Sequence, residues 1–481
     1  MVTDLKPTVR VFQKDWRVLC LLMALFTGIY LYYYPPIHGI DDEAGYINLA
    51  YVWSNGSTST TGTAMPTLFD FEKVNGRDVS WRSPGRSAAL FPFLAVFGAT
   101  SIFISSLLIH LLTTLIGAWL LHRIGRSPLW ALLILFHPTL MLYSRTVMSD
   151  ELGAMFLLLA LAAVTFRKNS GLWAGIFIGF AALARMHAAF AVPFVASAFW
   201  FNGRKKQALW LMFGAAMVGV MIIVYNYLIV GGPILYLHAG FSPEFVLARL
   251  SAYIPALLIL FPLQLFAPVF DKTEIRWFSR AIILPIFVLL LFYLWNDSGS
   301  NFLENIVISQ RLLILILPIW LISYAGCVER IAEMVRLDRL IQSYRALLLP
   351  IAYFLFLISQ VLIFQKHQAR LFDFRQDLDE IAELIPAQSL VITNRGMGKF
   401  LGTPAMQPPP VDLLVYNFDG DDSDKGKIAA ANGKPWFVVF LGKTPQQQMP
   451  PTFDDLIRKH NMTKVTTTAP NLTVYRSGFG G

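Results

Sequence analysis

The sequence predicts an α-helical polytopic membrane protein, about eleven transmembrane helices followed by a small C-terminal α/β domain outside the membrane. Three observations predict it. Only 14% of the 481 residues are charged and 56% are hydrophobic, whereas a soluble domain carries about 25% charged residues, so this chain cannot cover its body with solvated side chains. Apolar runs of spanning length recur from residue 16 to residue 364. After Gln365 the runs shorten to strand length and charge reappears.

A helix crosses the hydrocarbon core with about 20 mostly apolar residues. Runs that meet or approach this length lie near 16–34, 101–121, 128–144, 148–166, 171–185, 189–201, 208–230, 252–270, 278–295, 312–327 and 346–364. The pieces at 171–185 and 189–201 are short and read as one broken pair inside the bundle, where imperfect helices are tolerated. The first span is expected to stay attached. Tyr32-Tyr33-Tyr34-Pro35-Pro36 follows it where a signal peptide would place small residues for cleavage.

Lys and Arg set the orientation. With the N-terminus in the cytoplasm, 18 basic residues fall in the cytoplasmic segments 6–17, 123–126, 167–168, 204–206, 272–280 and 330–345, against 8 on the opposite side before the tail. The net charge of +9 is therefore a topology signal, and no nucleic-acid partner is needed to explain it. The expected location is the plasma (inner) membrane, with the C-terminal domain extracytoplasmic. Cys20 and Cys327 both lie inside apolar runs, which excludes a disulfide framework.

Two domains follow. Residues 1–365 form the transmembrane domain, with a long first external loop over 35–100. Residues 366–481 form the α/β domain: LDEIAELIP (378–386) reads as an amphipathic helix, SLVIT (389–393) and PWFVVFLG (435–442) as strands, FDDLIRKH (453–460) as a helix, and KVTTT and LTVYR as closing strands. PAMQPPP (404–410) and DGDDSDKGK (419–427) read as surface loops. This domain shows no acid–base constellation.

The chemistry gathers at the external ends of spans. Asp41, Asp42 and Glu43 follow the first span, with Tyr46, Leu49, Ala50 and Trp53 behind them at helical spacing. Carboxylates at a helix start can simply complement its dipole. Asp150 and Glu151 open the fourth span on the same side, with Ser149 as a plausible N-cap. Two acidic pairs facing one compartment lift both above capping. Arg82, Arg86, Arg145, Arg185, Arg249 and Arg311 stand where the positive-inside rule disfavours them. Some can snorkel or pair with the acids, and a set of them can clamp a lipid-linked phosphate. His38, His110, His137, His187 and His238 show no ligand spacing and read as core or interface histidines.

Here the sequence resembles the type C (GT-C) glycosyltransferases, in the branch of protein O-mannosyltransferases and lipid A aminoarabinose transferases. Asp42-Glu43-Ala44-Gly45-Tyr46 is similar to their DE-x-x-Y element after the first span. Arg82 before Ser83-Pro84-Gly85 matches a basic residue ahead of a turn. LYSRTVMSDELGAMFLLLALA (142–162) is similar to the second acidic motif, and QRLLILILPIW (310–320) to the late basic motif, with Arg311 in the basic place.

The resemblance implies an inverting membrane glycosyltransferase that moves a sugar from a polyprenyl-phosphate carrier to a glycolipid, polysaccharide or protein acceptor on the external face. It implies Asp42 as base, with Glu43 and Asp150 as supports, and Arg82, Arg311, Arg86 and Arg145 on the donor phosphate. The DE-x-x-Y register favours Asp42 over Asp41. A divalent cation at Asp42 and Asp150 stays open at this stage. So does a secondary transporter or flippase with the acids as proton relay, although such acids tend to lie mid-span and two similar halves are not found. Within enzymes the runner-up is an oligosaccharide ligase with a diphosphate-linked donor.

Overall fold

The computed structural model describes residues 13–57, 68, 70–74, 77–80, 82–165, 169–230, 232, 240–293, 301–334, 337–387, 389–406, 408, 412–416, 436–442 and 451–477. The predicted loop at 419–427 lies outside these residues. The helical part is a bundle of α1 (Gln13–Tyr32), α2 (Asp41–Ser54), a hairpin of β1 (Phe71–Val74) and β2 (Arg77–Ser80), α3 (Pro84–Phe97), α4 (Ile102–Arg123), α5 (Leu132–Leu135), α6 (Pro138–Tyr143), α7 (Ser149–Val164), α8 (Ser170–Ala184), α9 (Ala191–Phe201), α10 (Lys205–Tyr225), α11 (Phe245–Leu260), α12 (Ala267–Phe270), α13 (Arg276–Leu291), α14 (Phe302–Ile308) and α15 (Leu317–Met334). Then α16 (Leu337–Leu384) leads into the C-terminal domain.

Each predicted apolar run is helical, but not each is one helix. The run 128–144 divides into a 3-10 turn at Pro128–Ala131, then α5 and α6, because Pro138 cannot continue a helix and starts a new one, with His137 Nδ1 accepting from Thr139 N at 3.3 Å. The run 252–270 bends by 107° between α11 and the segment Gln264–Phe270. By length and composition, three helices among the described residues can cross a membrane alone, or four if the bent pair counts as one span. Conversely α16 runs on through residue 365: no Pro or Gly interrupts 351–385, so the apolar half passes into the charged half without a break.

Helices α8 and α10 pack closest. A Cβ added at Gly175 would stand 2.0 Å from the Leu211 carbonyl oxygen, and one at Gly171 would stand 1.9 Å from that of Gln207. Small residues let the two backbones touch, the usual way to pack helices in lipid. The outer face of α10 leaves Trp210, Phe213, Met217 and Met221 uncovered, as a lipid-facing helix does.

The C-terminal domain adds β3 (Leu390–Asn394), α17 (Arg395–Leu401), β4 (Asp412–Tyr416), β5 (Trp436–Leu441), α18 (Pro451–Lys459), β6 (Thr463–Val465) and β7 (Leu472–Arg476). Strand order is β4-β3-β5-β7-β6, with β3 parallel to both neighbours and β7 antiparallel to both of its own. Period-2 alternation covers both faces. Val391, Phe437 and Val439 pack under α16 and α17, while Leu390, Ile392, Trp436 and Val438 pack under Phe453 and Leu456 of α18. Ile37, between α1 and α2, joins the first of these cores. The domain is therefore seated on the helical bundle at the end where α1 stops.

Candidate active site

Three chain segments meet at that end. Helix α2 begins at Asp41 with all three acids in its first turn, where free backbone N–H groups favour negative charge. Helix α7 begins at Ser149 and carries Asp150 and Glu151 in its first turn. The N-cap there is Met148 rather than the expected Ser149, whose hydroxyl instead accepts from Tyr46 Oη at 2.8 Å.

Asp42 is the hub. Its Oδ1 lies 2.9 Å from Arg82 Nη1, and its Oδ2 accepts from Arg311 Nη2. Arg311 also reaches toward Asp150, with Nε 3.9 Å from Oδ2, and Arg185 Nε lies 3.2 Å from Asp150 Oδ1. Arg82 Nε donates in turn to Asp70, just before β1. Asp42 keeps a fifth of its side chain exposed, whereas Asp150 is 1% exposed. Burial alone would favour protonated Asp42; Arg82, Arg311 and Arg185 outweigh it and hold the carboxyl below the usual carboxylate range.

Glu43 is built differently. It is fully buried, and its carboxylate accepts from the backbone N–H groups of Gly39 (2.8 Å), Ile40 (2.8 Å) and Val147 (2.7 Å). Burial pushes its pKa up while those three donors pull it down. The side chain ties the start of α2 to the segment before α7, so it holds Asp42 and Asp150 in register without facing the open side.

The four arginines expected at the donor phosphate divide in two. Arg82 and Arg311 grip Asp42. Arg86 is fully buried and donates from Nη2 to Ser105 Oγ (3.0 Å) and Ser106 Oγ (2.6 Å) of α4. Arg145 is also buried: it donates to His367 Nδ1 (3.1 Å), to Gln368 Oε1 (2.5 Å) and to the Tyr33 carbonyl, with its guanidinium 4.7 Å from the Phe364 ring centroid. These two cations fasten α3 to α4 and α1 to α16.

Arg185, one of the cations able to pair with the acids, and Asp70 complete the cluster. Arg185 ends an apolar helix, and a charge at such a place was its signal; Asp70 in FDFEK carries no local signal. Glu151 faces away from the cluster, 2.5 Å from His110 Nδ1, and His110 Nε2 donates to the Leu135 carbonyl at 3.0 Å. From the C-terminal domain, Lys399 Nζ stands 3.2 Å from Asp41 Oδ1 and donates to the Gly39 carbonyl at 2.9 Å.

A divalent cation does not fit this geometry. Asp42 and Asp150 are already faced by three guanidiniums, and among the described residues no group of three His, Cys, Asp or Glu side chains is placed to hold a metal.

No family model matches the sequence, and no curated protein matches it. The fold does have matches among solved structures. ArnT from Cupriavidus metallidurans, solved bound to undecaprenyl phosphate, superposes with a TM-score of 0.59 over 97% of this chain and 99% of its own, at 13% identity. The Archaeoglobus fulgidus oligosaccharyltransferase AglB, solved with an inhibitory peptide and a dolichol-phosphate, gives 0.52 over 89% of this chain and 69% of its own, at 12% identity. At such identities the likeness is one of fold. The chain shares the fold of these two proteins, a helical bundle followed by a small C-terminal sheet domain.

Proposed function

We propose that the protein is an inverting membrane glycosyltransferase that transfers a sugar from a polyprenyl phosphate to a hydroxyl or amine acceptor on the external face. One observation carries the reading: a carboxylate, Asp42, stands between two arginines, Arg82 and Arg311, at the end of the bundle on which the C-terminal domain sits. The two fold relatives support it, one solved with a polyprenyl phosphate and one with a dolichol-phosphate and a peptide.

The chemistry follows from those groups. The acceptor oxygen or nitrogen attacks the anomeric carbon, and the bond from that carbon to the phosphate oxygen breaks. The electron pair leaves on the phosphate, whose growing charge Arg82 and Arg311 neutralise; a phosphate monoester needs no general acid. The acceptor proton passes to Asp42. Phosphate oxygens bound by the two guanidiniums draw them from Asp42, which then becomes a better base at the moment the donor is in place. Base and leaving group on opposite faces of the sugar give inversion.

The reading carries a topology. Basic side chains such as Lys14, Arg17, Arg126, Lys205 and Arg280 sit at the end opposite the acids, where Asp15 binds Ser127 (2.5 Å) and Arg126 binds Glu329. We assign that end to the cytoplasm and the eleven apolar runs to the membrane, some as broken or re-entrant pieces. Residues 1–365 then carry the catalysis, and 366–481 lie outside.

Mass spectrometry of lipids and glycans from cells with and without the gene tests the function. A glycan that loses one sugar, with its polyprenyl-phosphate donor accumulating, is the expected result. Loss of a whole oligosaccharide with a diphosphate carrier would favour the ligase, and unchanged glycans with an altered membrane distribution of a lipid would favour a flippase.

A further inference from the structure

Resting on the transfer site just proposed, we propose that Lys399 of the C-terminal domain is a positioning residue: it claims Asp41, so that Arg82 and Arg311 are left to Asp42 and the lipid phosphate. Two adjacent carboxylates open α2, and the cations divide between them: Arg82 and Arg311 pair with Asp42, Lys399 with Asp41. A helix start with Asp41 and Asp42 equally placed would share its guanidiniums between them and hold the donor in two ways.

The structure separates the two acids from outside the membrane domain. Lys399 Nζ bridges Asp41 Oδ1 at 3.2 Å and the Gly39 carbonyl at 2.9 Å, the two residues on either side of Ile40, the N-cap of α2. Glu43 holds the same turn from within, through the Gly39 and Ile40 N–H groups. The lysine is itself fixed. It is 12% exposed, its ammonium lies 4.9 Å from the Phe400 ring centroid and 5.6 Å from that of Phe374, and its own carbonyl accepts from His38 Nε2 at 3.1 Å.

The support beneath it is a buried interface rather than a surface touch. Asn48, fully buried on α2, donates to the Gly402 carbonyl at 2.7 Å, and Ala405 and Met406 pack against Tyr46, Ile47 and Ala50. The C-terminal domain thus grips two turns of the helix that presents Asp42. A charge held by such a frame discriminates between neighbouring acids by where it is fixed: the lysine is held in place while Asp41, 37% exposed, stands at its tip.

The test uses the full chain in nanodiscs, with undecaprenyl phosphate as the binding probe. Lys399→Met is expected to weaken binding about tenfold, the scale of one lost hydrogen bond to a charged group. Lys399→Gln, which can still donate to Gly39 but carries no charge, should do the same, and Lys399→Arg should restore binding. Removing the misplaced acid as well, in Asp41→Asn with Lys399→Met, should also restore it, which a purely structural role for the lysine does not predict. Wild-type binding by Lys399→Met and Lys399→Gln, in protein whose Arg82→Ala variant binds weakly, overturns the positioning role and leaves the transferase reading standing. A weakened Lys399→Met that Asp41→Asn fails to rescue overturns the sorting of the acids. Failure of the wild type to bind the probe takes both readings down together.

Discussion

Arg311 donates from Nη2 to Asp42 Oδ2 although 269 residues of chain separate them. The pair closes the bundle: it joins the helix after the first span to the turn before α15, and Arg311 extends the contact to Asp150 of α7. Any anion that enters the site must share these guanidiniums with Asp42.

Arg82 and Arg311 should therefore separate from Arg86 in binding. Ala at position 82 or 311 is expected to weaken undecaprenyl phosphate binding by one to two orders of magnitude, about 1.5–3 kcal/mol per charge-assisted contact, with Lys partly restoring it. Arg86→Ala should instead lower the melting temperature, because it empties a buried site and strips Ser105 and Ser106 of their donor. Titration of the purified variants checks both. Equal binding by all three would remove Arg82 and Arg311 from the phosphate.

Glu43→Gln should destabilise the protein by roughly 1–3 kcal/mol. The carboxylate accepts from three backbone donors and uses both of its oxygens; an amide turns one acceptor into a donor facing an N–H group. Thermal unfolding in detergent reads this directly. A melting temperature equal to wild type would show that the turn at 39–43 is held by other contacts.

Gly175→Leu should prevent α8 and α10 from packing. The obstruction is a backbone carbonyl, which has no rotamer to escape into. Loss of the folded, monodisperse species in size-exclusion chromatography is expected, with Gly219→Leu on the open face of α10 as a tolerated control, since nothing lies within 4 Å of a Cβ there. Normal folding of Gly175→Leu would mean that the two helices are not in contact.

His38 makes docking of the C-terminal domain pH-sensitive. Burial, helped by the Lys399 charge, lowers its pKa from the ordinary 6.5 to about 3. A folded pKa below the unfolded one contributes stability that is complete above about 6.5 and is lost as pH falls toward 3. Asp377 acts the other way: burial beside Asp373 and Glu380 raises it to about 6, so its contribution is lost as pH rises from about 4 to 6. The comparison is therefore with His38→Gln, whose amide can keep the bond to the Lys399 carbonyl without titrating. Hydrogen-exchange protection at α2, taken relative to the intrinsic rate at each pH, should fall between pH 6.5 and 4 in the wild type and much less in the variant. Parallel curves would remove His38 as the cause.

The residues show what a sequence exposes and what it hides. The strands around Ile392 and Val438, the amphipathic helix at 453–460 and the acid-bearing starts of α2 and α7 were legible because periodicity and composition are local. Arg82 and Arg311 stood out as cations at odds with the expected basic asymmetry, and the structure pairs both with Asp42. The break at Pro138 was masked by the uniform apolarity of 128–144, and the continuity of α16 by a change of composition that no helix-breaker accompanies. Arg86 and Arg145 looked like Arg82 from sequence alone; only packing reveals that Ser105, Ser106, Gln368 and His367 already bind them. Lys399 and Asp70 reach the site through tertiary contacts, and nothing in GMGKFL or FDFEK announces that.

The most direct measurement is the glycan mass profile of cells that carry Asp42→Asn in place of the wild-type gene, beside the deletion and Asp41→Asn. Asn keeps the shape of the side chain but cannot take a proton, and a general base is worth about 10²–10⁴-fold in rate. With the variant protein present in the membrane at wild-type level, Asp42→Asn should reproduce the deletion profile, the same glycan short by one sugar, while Asp41→Asn retains most of the complete glycan. A complete glycan in Asp42→Asn cells would contradict Asp42 as the base.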